Sequence, residues 1–151
     1  MKLPNKRRKS NLKNWAFLQK EVLGDKDDPY LVRWRILDTP WFNIWLHNIR
    51  RGDLQRENHS HPADFISIIL AGGYTEPFHK EIDDEEQTVY RGSLLSRRKS
   101  IAFRKADWFH RIVIPEGQSC WSLILMGPKY REWGFVVDGK WVHNEEYYKE
   151  P

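Results

Sequence analysis

The chain has 151 residues, with 25 Lys and Arg against 21 Asp and Glu, a formal charge of +4, eight Trp, seven Phe, six Tyr and a single Cys. That length suits one domain burying about two-thirds of its unfolded surface. The single cysteine excludes an internal disulfide, no run reaches the roughly twenty apolar residues of a membrane-spanning helix, and the basic start lacks a signal peptide's apolar core.

The first fourteen residues, MKLPNKRRKSNLKN, hold six of the basic residues and no acid, so the remainder carries 19 basic against 21 acidic residues. The positive charge therefore belongs to a basic N-terminal tail, residues 1–10, and not to a binding face. Nucleic acid is expected, if at all, only at Lys6, Arg7, Arg8 and Lys9 of that tail. Residues 11–151 read as a single domain of a soluble, cytoplasmic protein.

In chain order, NLKNWAFLQKEVLG (11–24) predicts a helix. Leu12, Trp15, Ala16, Gln19, Val22 and Leu23 fall at helical spacing, Ser10 can cap the start and Gly24 the end. DKDDP (25–29) is a turn-rich break. From Tyr30 onward the rhythm is of short β-type runs: YLVRWRIL, WFNIWLHNIR, FISIILAGGY, TVYRGSLLS, SIAFRK, FHRIVI, CWSLILM, WGFVV and KWVH. Such strands at near-regular spacing predict a sandwich or closed barrel. Asp138-Gly139 between two apolar runs predicts a two-residue hairpin, IPEGQS (114–119) another tight turn, and KEIDDEEQ (80–87) a solvated acidic loop. Cys120 lies in an apolar run and reads as a buried small hydrophobe.

The stretch HSHPADFISIILAGGYTE (59–76) carries the chemistry. Side chains two apart on a strand share a face, so His59 and His61 project together and can hold one divalent cation at about 2.0–2.1 Å each. His110, heading a strand some fifty residues on, supplies a third imidazole if the intervening strands fold back. Asp64, three residues beyond His61, is a further candidate ligand, although a turn carboxylate is the plainer reading; Glu76 is a more distant candidate. Arg33 and Arg35 alternate on one strand face with Trp34 on the other. If Trp34 packs beneath the helix, the arginines face the barrel or its mouth, where a guanidinium can clamp a carboxylate or phosphate; the plainer reading leaves both facing solvent. Trp41, Asn43, Trp45 and His47 share a face that suits a pocket wall or the core. Tyr74 and Tyr90 are candidate pocket hydroxyls, while Arg111 should point away from the metal. The sequence contains no phosphate-binding glycine loop, no cysteine pair for zinc and no Gly-x-Ser-x-Gly elbow.

With Gly52 ahead of His59-x-His61, Gly73 after the apolar strand and His110 leading a later strand, the sequence resembles the cupins over about residues 30–137. More narrowly, it resembles a group of uncharacterised cupin-like proteins found partly in phages. The resemblance implies a small jelly-roll barrel, here with one N-terminal helix. It departs from the family pattern at the first-motif glutamate, whose place Phe65 or Ile66 takes, and in the second motif, where Lys105 and Asp107 replace proline and glycine and Ile114 replaces asparagine. Three histidines without the glutamate resemble the thiol dioxygenase branch, which uses ferrous iron. The cofactor expected on that resemblance is a divalent metal, iron(II) first, with manganese, nickel or zinc as alternatives. Three neutral imidazoles leave a divalent ion its full charge, which favours an anionic substrate. The expected activity is a small-molecule oxidoreductase of the dioxygenase type. The alternatives are a non-catalytic module binding a nucleotide, sugar or protein partner, and a metal-free isomerase or epimerase with His110 as base and Tyr74 or Tyr90 as acid. Exposed sheet edges allow a homodimer.

Overall fold

The computed structural model describes residues 16–52 and 57–149. They form eleven strands and one short helix: β1 Ala16–Gly24, β2 Pro29–Asp38, β3 Asn43–Ile49, β4 Phe65–Ala71, β5 Gly73–His79, β6 Gln87–Gly92, β7 Ile101–Arg104, β8 Phe109–His110, β9 Cys120–Met126, β10 Gly134–Val137, β11 Lys140–His143 and α1 Asn144–Tyr147. The expected all-β, cupin-like jelly roll is present.

One element differs from expectation. Ala16–Gly24 is a strand, paired antiparallel with β2 from Ala16 opposite Asp38 to Gly24 opposite Pro29. The physical reason lies across the ladder: as a strand it sets Glu21 opposite Arg33 and within ion-pair reach of both Arg33 and Arg35. A short run with apolar residues at several spacings satisfies both helical and strand templates, and pairing to β2 decides between them. Trp34, expected beneath the helix, instead stacks on Trp121 with ring centroids 5.4 Å apart. The rest of the predicted helix and the basic tail, residues 1–15, lie outside the described residues. The only helix among the described residues is C-terminal, α1, whose start is capped by His143 Nδ1 accepting from the Glu145 N–H.

A six-stranded sheet in the order β1-β2-β3-β9-β4-β7 faces a three-stranded sheet, β6-β5-β8, with β10-β11 as a separate hairpin. Asp138 and Gly139 both take positive φ, 49° and 74°, so the predicted two-residue turn is of the primed type that matches strand twist. Strict alternation in β9 buries Cys120, Ser122, Ile124 and Met126 and turns Trp121, Leu123 and Leu125 outward. The interior holds two apolar clusters: one around Ile69, Tyr74 and Cys120, the other around Trp45, Ala63, Phe65, Ile124 and Met126.

Arg91 ties the two sheets together. It is 1% exposed, and all five of its N–H donors are satisfied: Nε by Lys99 O (3.1 Å), Nη1 by Ser67 Oγ (3.1 Å) and Tyr74 Oη (2.6 Å), Nη2 by Ser67 O (2.9 Å) and Ser100 O (3.2 Å). A buried guanidinium is tolerable only in such company.

Candidate metal centre

His59 lies outside the regular strands yet is fixed by strand-type pairing. Its N–H donates to His110 O (2.9 Å), and its own carbonyl accepts from the His110 N–H (3.0 Å). The neighbouring His61 N–H donates to Ala106 O (2.9 Å). Between them Ser60 points the other way, fully buried, exchanging hydrogen bonds with Gly134. The x of His-x-His is thus an anchor, and the two imidazoles share one side.

All three rings converge. Their centroids are 5.0 Å apart for His59–His61, 5.0 Å for His59–His110 and 4.9 Å for His61–His110, and one nitrogen from each lies within 4.8 Å of the others. His61 Nε2 is 2.7 Å from His110 Nε2. Burial holds His59 down to about 3, and burial with the neighbouring imidazoles lowers His61 well below its ordinary value, so both rings are neutral at pH 7 and offer lone pairs.

The residue that fixes the third ring is Glu76. Its side chain is fully buried in β5, and its Oε1 accepts from His110 Nδ1 at 2.6 Å. Burial alone would push this carboxyl up. Hydrogen bonds from His110 and Arg104 outweigh it and hold Glu76 well below the usual carboxylate range, ionised. An ionised acceptor at Nδ1 favours a proton there, which makes Nε2, the nitrogen facing His61, the one suited to a metal. Arg104 grips the same carboxylate with two N–H groups, at 3.0 and 2.8 Å, and the Arg91 guanidinium stands 4.0 Å away.

The donor set fits a divalent metal. Nitrogens about 2.0–2.1 Å from one ion, at octahedral or tetrahedral angles, stand about 2.9–3.4 Å apart. To reach that spacing the 2.7 Å pair opens by a few tenths of an ångström, and His59, whose nitrogen lies within 4.8 Å of the others, closes in by about an ångström or more. Phe65 packs edge-on against His61 (4.7 Å), and Phe135 and Trp133 flank His59 (5.8 and 6.5 Å), forming an apolar collar.

The other predicted residues are placed as follows. Asp64 is outside the cluster of ligand atoms: its Oδ1 accepts from the Ala106 N–H (2.8 Å) and the Tyr130 hydroxyl (2.8 Å), pinning the loop that carries His61's backbone partner. Tyr74 is buried in the core, its hydroxyl taken by Arg91, and Tyr90 is half exposed. Arg111 pairs with Glu86 and Asn58. Arg33 and His47 are register partners on the inner face: Arg33 Nε donates to His47 Nε2 (3.0 Å), and its guanidinium lies 4.5 Å from the Trp45 ring centroid. His47 is felt electrostatically by His61. Arg35 lies in the next row, near Glu21 (3.7 Å) and Asp38 (3.5 Å). Two surface clefts, of about 440 and 230 Å³, include none of the three histidines.

Sequence reasoning weighed Glu76 only as a ligand and did not single out Arg91 or Arg104. A signal existed: in the run Gly73–His79, Tyr74, Glu76 and Phe78 share one strand face, which sets a carboxylate in an aromatic row.

No protein-family model matches the sequence, and no curated protein matches it. Solved structures do. The chain is similar to the polyketide cyclase RemF from Streptomyces resistomycificus (TM-score 0.56, 16% identity, 89% of each chain). It is also similar to the cupin-2 domain Rru_A2000 from Rhodospirillum rubrum (TM-score 0.55, 9% identity, 80% of this chain and 76% of that one). The iron(II) form of HppE matches with TM-score 0.52 and 15% identity over 72% of this chain. CapF from Staphylococcus aureus matches with TM-score 0.56 and 13% identity over 75% of this chain. The chain spans 56% of the HppE chain and 32% of the CapF chain. At these identities the likeness is one of fold: the architecture is the cupin jelly roll. Within it, the three-histidine cluster marks a cupin-like barrel suited to binding a divalent metal. No helix among the described residues is long and apolar enough to cross a membrane.

Proposed function

We propose that this chain is a metal-dependent oxidoreductase of the dioxygenase type, acting on a small anionic molecule with iron(II) held by His59, His61 and His110. The observation that carries the reading is the convergence of three imidazoles, two of them held neutral by burial and the third oriented by a buried carboxylate, beside an apolar collar. A divalent ion there would retain its charge and keep coordination positions open for substrate and dioxygen. The fold-level likeness to the iron(II) form of HppE agrees with this choice of metal.

The chain's own residues supply the rest. Glu76 keeps the His110 proton on Nδ1, so that Nε2 remains a donor of electrons. Phe65, Phe135 and Trp133 exclude water around the rings. Arg33, the cation beside His47, is the residue we assign to the anionic group of the substrate. Trp45 Nε1 and Ser122 Oγ are buried on the same face with no hydrogen-bond partner among the described residues, and they supply further polar contacts. Arg35 contributes less, because Asp38 shares its charge in addition to Glu21, which both arginines meet.

The test is anaerobic purification, reconstitution with iron(II), metal analysis by mass spectrometry and oxygen consumption over a panel of thiols and oxo-acids. About one iron per chain and substrate-dependent oxygen uptake, both lost in His61→Ala, are expected. A folded protein that takes up far less than one metal per chain refutes the reading. Full metal occupancy without turnover on any substrate, together with ligand binding lost in His59→Ala, favours the non-catalytic binding module instead.

A further inference from the structure

The connection between β6 and β7, residues 93–100, presents an apolar tip beside a run of cations. Leu95 is 94% exposed and Leu94 43%, and Arg97, Arg98 and Lys99 follow them, all exposed. Among the described residues none of the three cations has a carboxylate partner. Residues 88–106 contain no acid at all.

The loop is held by its backbone. The Gly92 N–H donates to Arg98 O (2.7 Å) and the Leu94 N–H to Ile69 O (3.0 Å), while the buried Arg91 donates to Lys99 O (3.1 Å) and Ser100 O (3.2 Å). These bonds use main-chain groups and leave the long side chains in solvent. Arg97 and Lys99 both take positive φ, 52° and 48°, where glycine or asparagine is the easier choice. Long cations stand at both positions despite that preference, which points to a use for their charge.

Other charges are distant. The acidic connection 80–86 lies at the opposite end of β6. Asp25, Asp27 and Asp28 lie between β1 and β2, four strand spacings or about 19 Å across the sheet, more than twice the roughly 8 Å Debye length at physiological salt. Among the described residues Glu116, in the turn before β9, is the acid nearest in strand order. An aliphatic tip with cations around it fits an anionic lipid surface, where apolar side chains enter the boundary between headgroups and acyl chains and cations meet the phosphates. Two leucines offer no stacking platform for nucleic-acid bases, which bind on aromatic rings.

We propose that this loop docks the chain on an anionic membrane surface, with Leu94 and Leu95 at the acyl boundary and Arg97, Arg98 and Lys99 among the headgroups. β4 runs from Phe65, which packs on His61, towards Ile69, whose carbonyl holds the loop. The metal centre therefore lies at the other end of that strand from the lipid.

Co-sedimentation of the full chain with vesicles of about one-third phosphatidylserine in phosphatidylcholine reads the partition directly, with pure phosphatidylcholine as the neutral control. Binding to the anionic vesicles at least about tenfold above the neutral ones, falling as salt rises, is expected. Leu95→Ser changes a side chain already in water, so it should leave circular dichroism unchanged and lower partitioning about tenfold. Arg97→Gln combined with Arg98→Gln should lower it about fivefold for each charge, about twenty-five-fold together. The basic tail is present in both variants, so a loss belongs to the loop. If the double variant does not fold, Leu95→Ser decides the matter. A wild-type chain that stays in solution overturns the proposal, as does undiminished vesicle binding in the folded variants. Retention of a single-stranded oligonucleotide in place of vesicles, lost in the double variant but kept in Leu95→Ser, overturns it in favour of a nucleic-acid face.

Discussion

Replacing Glu76 by Gln tests how far the metal site depends on a residue that is not itself a ligand. The carboxylate accepts from His110 Nδ1 at 2.6 Å and from two N–H groups of Arg104, at 3.0 and 2.8 Å, with no exposure to water. An amide has one acceptor atom and one donor atom, an NH2 with two N–H groups. If its oxygen stays toward His110, its NH2 faces the Arg104 donor; if it flips, the NH2 faces Nδ1, and the imidazole proton is driven to Nε2, where the metal should bind. Loss of an orienting partner of this kind typically costs ten- to a hundredfold in metal affinity, about 1.4 to 2.7 kcal/mol. The stranded arginine charge should destabilise the metal-free fold by about 3 kcal/mol or more. Competitive metal titration of folded Glu76→Gln, paired with urea unfolding of the metal-free protein, separates the two effects. A folded variant that binds metal within about twofold of wild type would refute the assignment of ring control to Glu76.

His47, His59 and His61 are all held neutral by burial, His59 down to about 3, so the unfolded chain takes up protons that the folded chain refuses. Stability of the metal-free protein should therefore be full above about pH 6.5 and fall below it, by up to about 1.4 kcal/mol per pH unit for each histidine. Urea midpoints from pH 8 to pH 5 check this; His47→Gln should flatten the slope, and a flat wild-type profile contradicts it. Gly72 and Gly117 both take positive φ, 75° and 78°, but a Cβ at Gly72 would collide with Ser119 O, whereas at Gly117 it meets open space. Gly117→Ala should cost about 1 kcal/mol and Gly72→Ala several-fold more, read as a difference in denaturant midpoint. Arg33→Gln should leave metal content unchanged and weaken binding of a carboxylate ligand about tenfold or more by calorimetry; loss of metal instead would show that Arg33 supports the histidines and not the ligand.

Much of the fold is legible locally. Alternation in Cys120–Met126 already separates an inner row from an outer one, and Asp138-Gly139 announces its own turn, because both depend on backbone conformations that neighbours in sequence decide. The first strand is not legible in this way. Residues 16–24 fit a helix as well as a strand until β2 presents Arg33 opposite Glu21 and Arg35 within its reach.

The same division runs through the site. His59 and His61 share a face by strand geometry alone, so the sequence itself determines a two-imidazole pair and an all-β scaffold to carry it. Only the tertiary structure decides that His110 joins the pair through a backbone bridge to His59. It alone gives Glu76, 34 residues before His110, the proton on Nδ1, and lets Arg91 and Arg104 neutralise that buried carboxylate. Contacts between distant strands are set by how sheets close and bury their apolar faces, a global balance that no window of neighbouring residues contains.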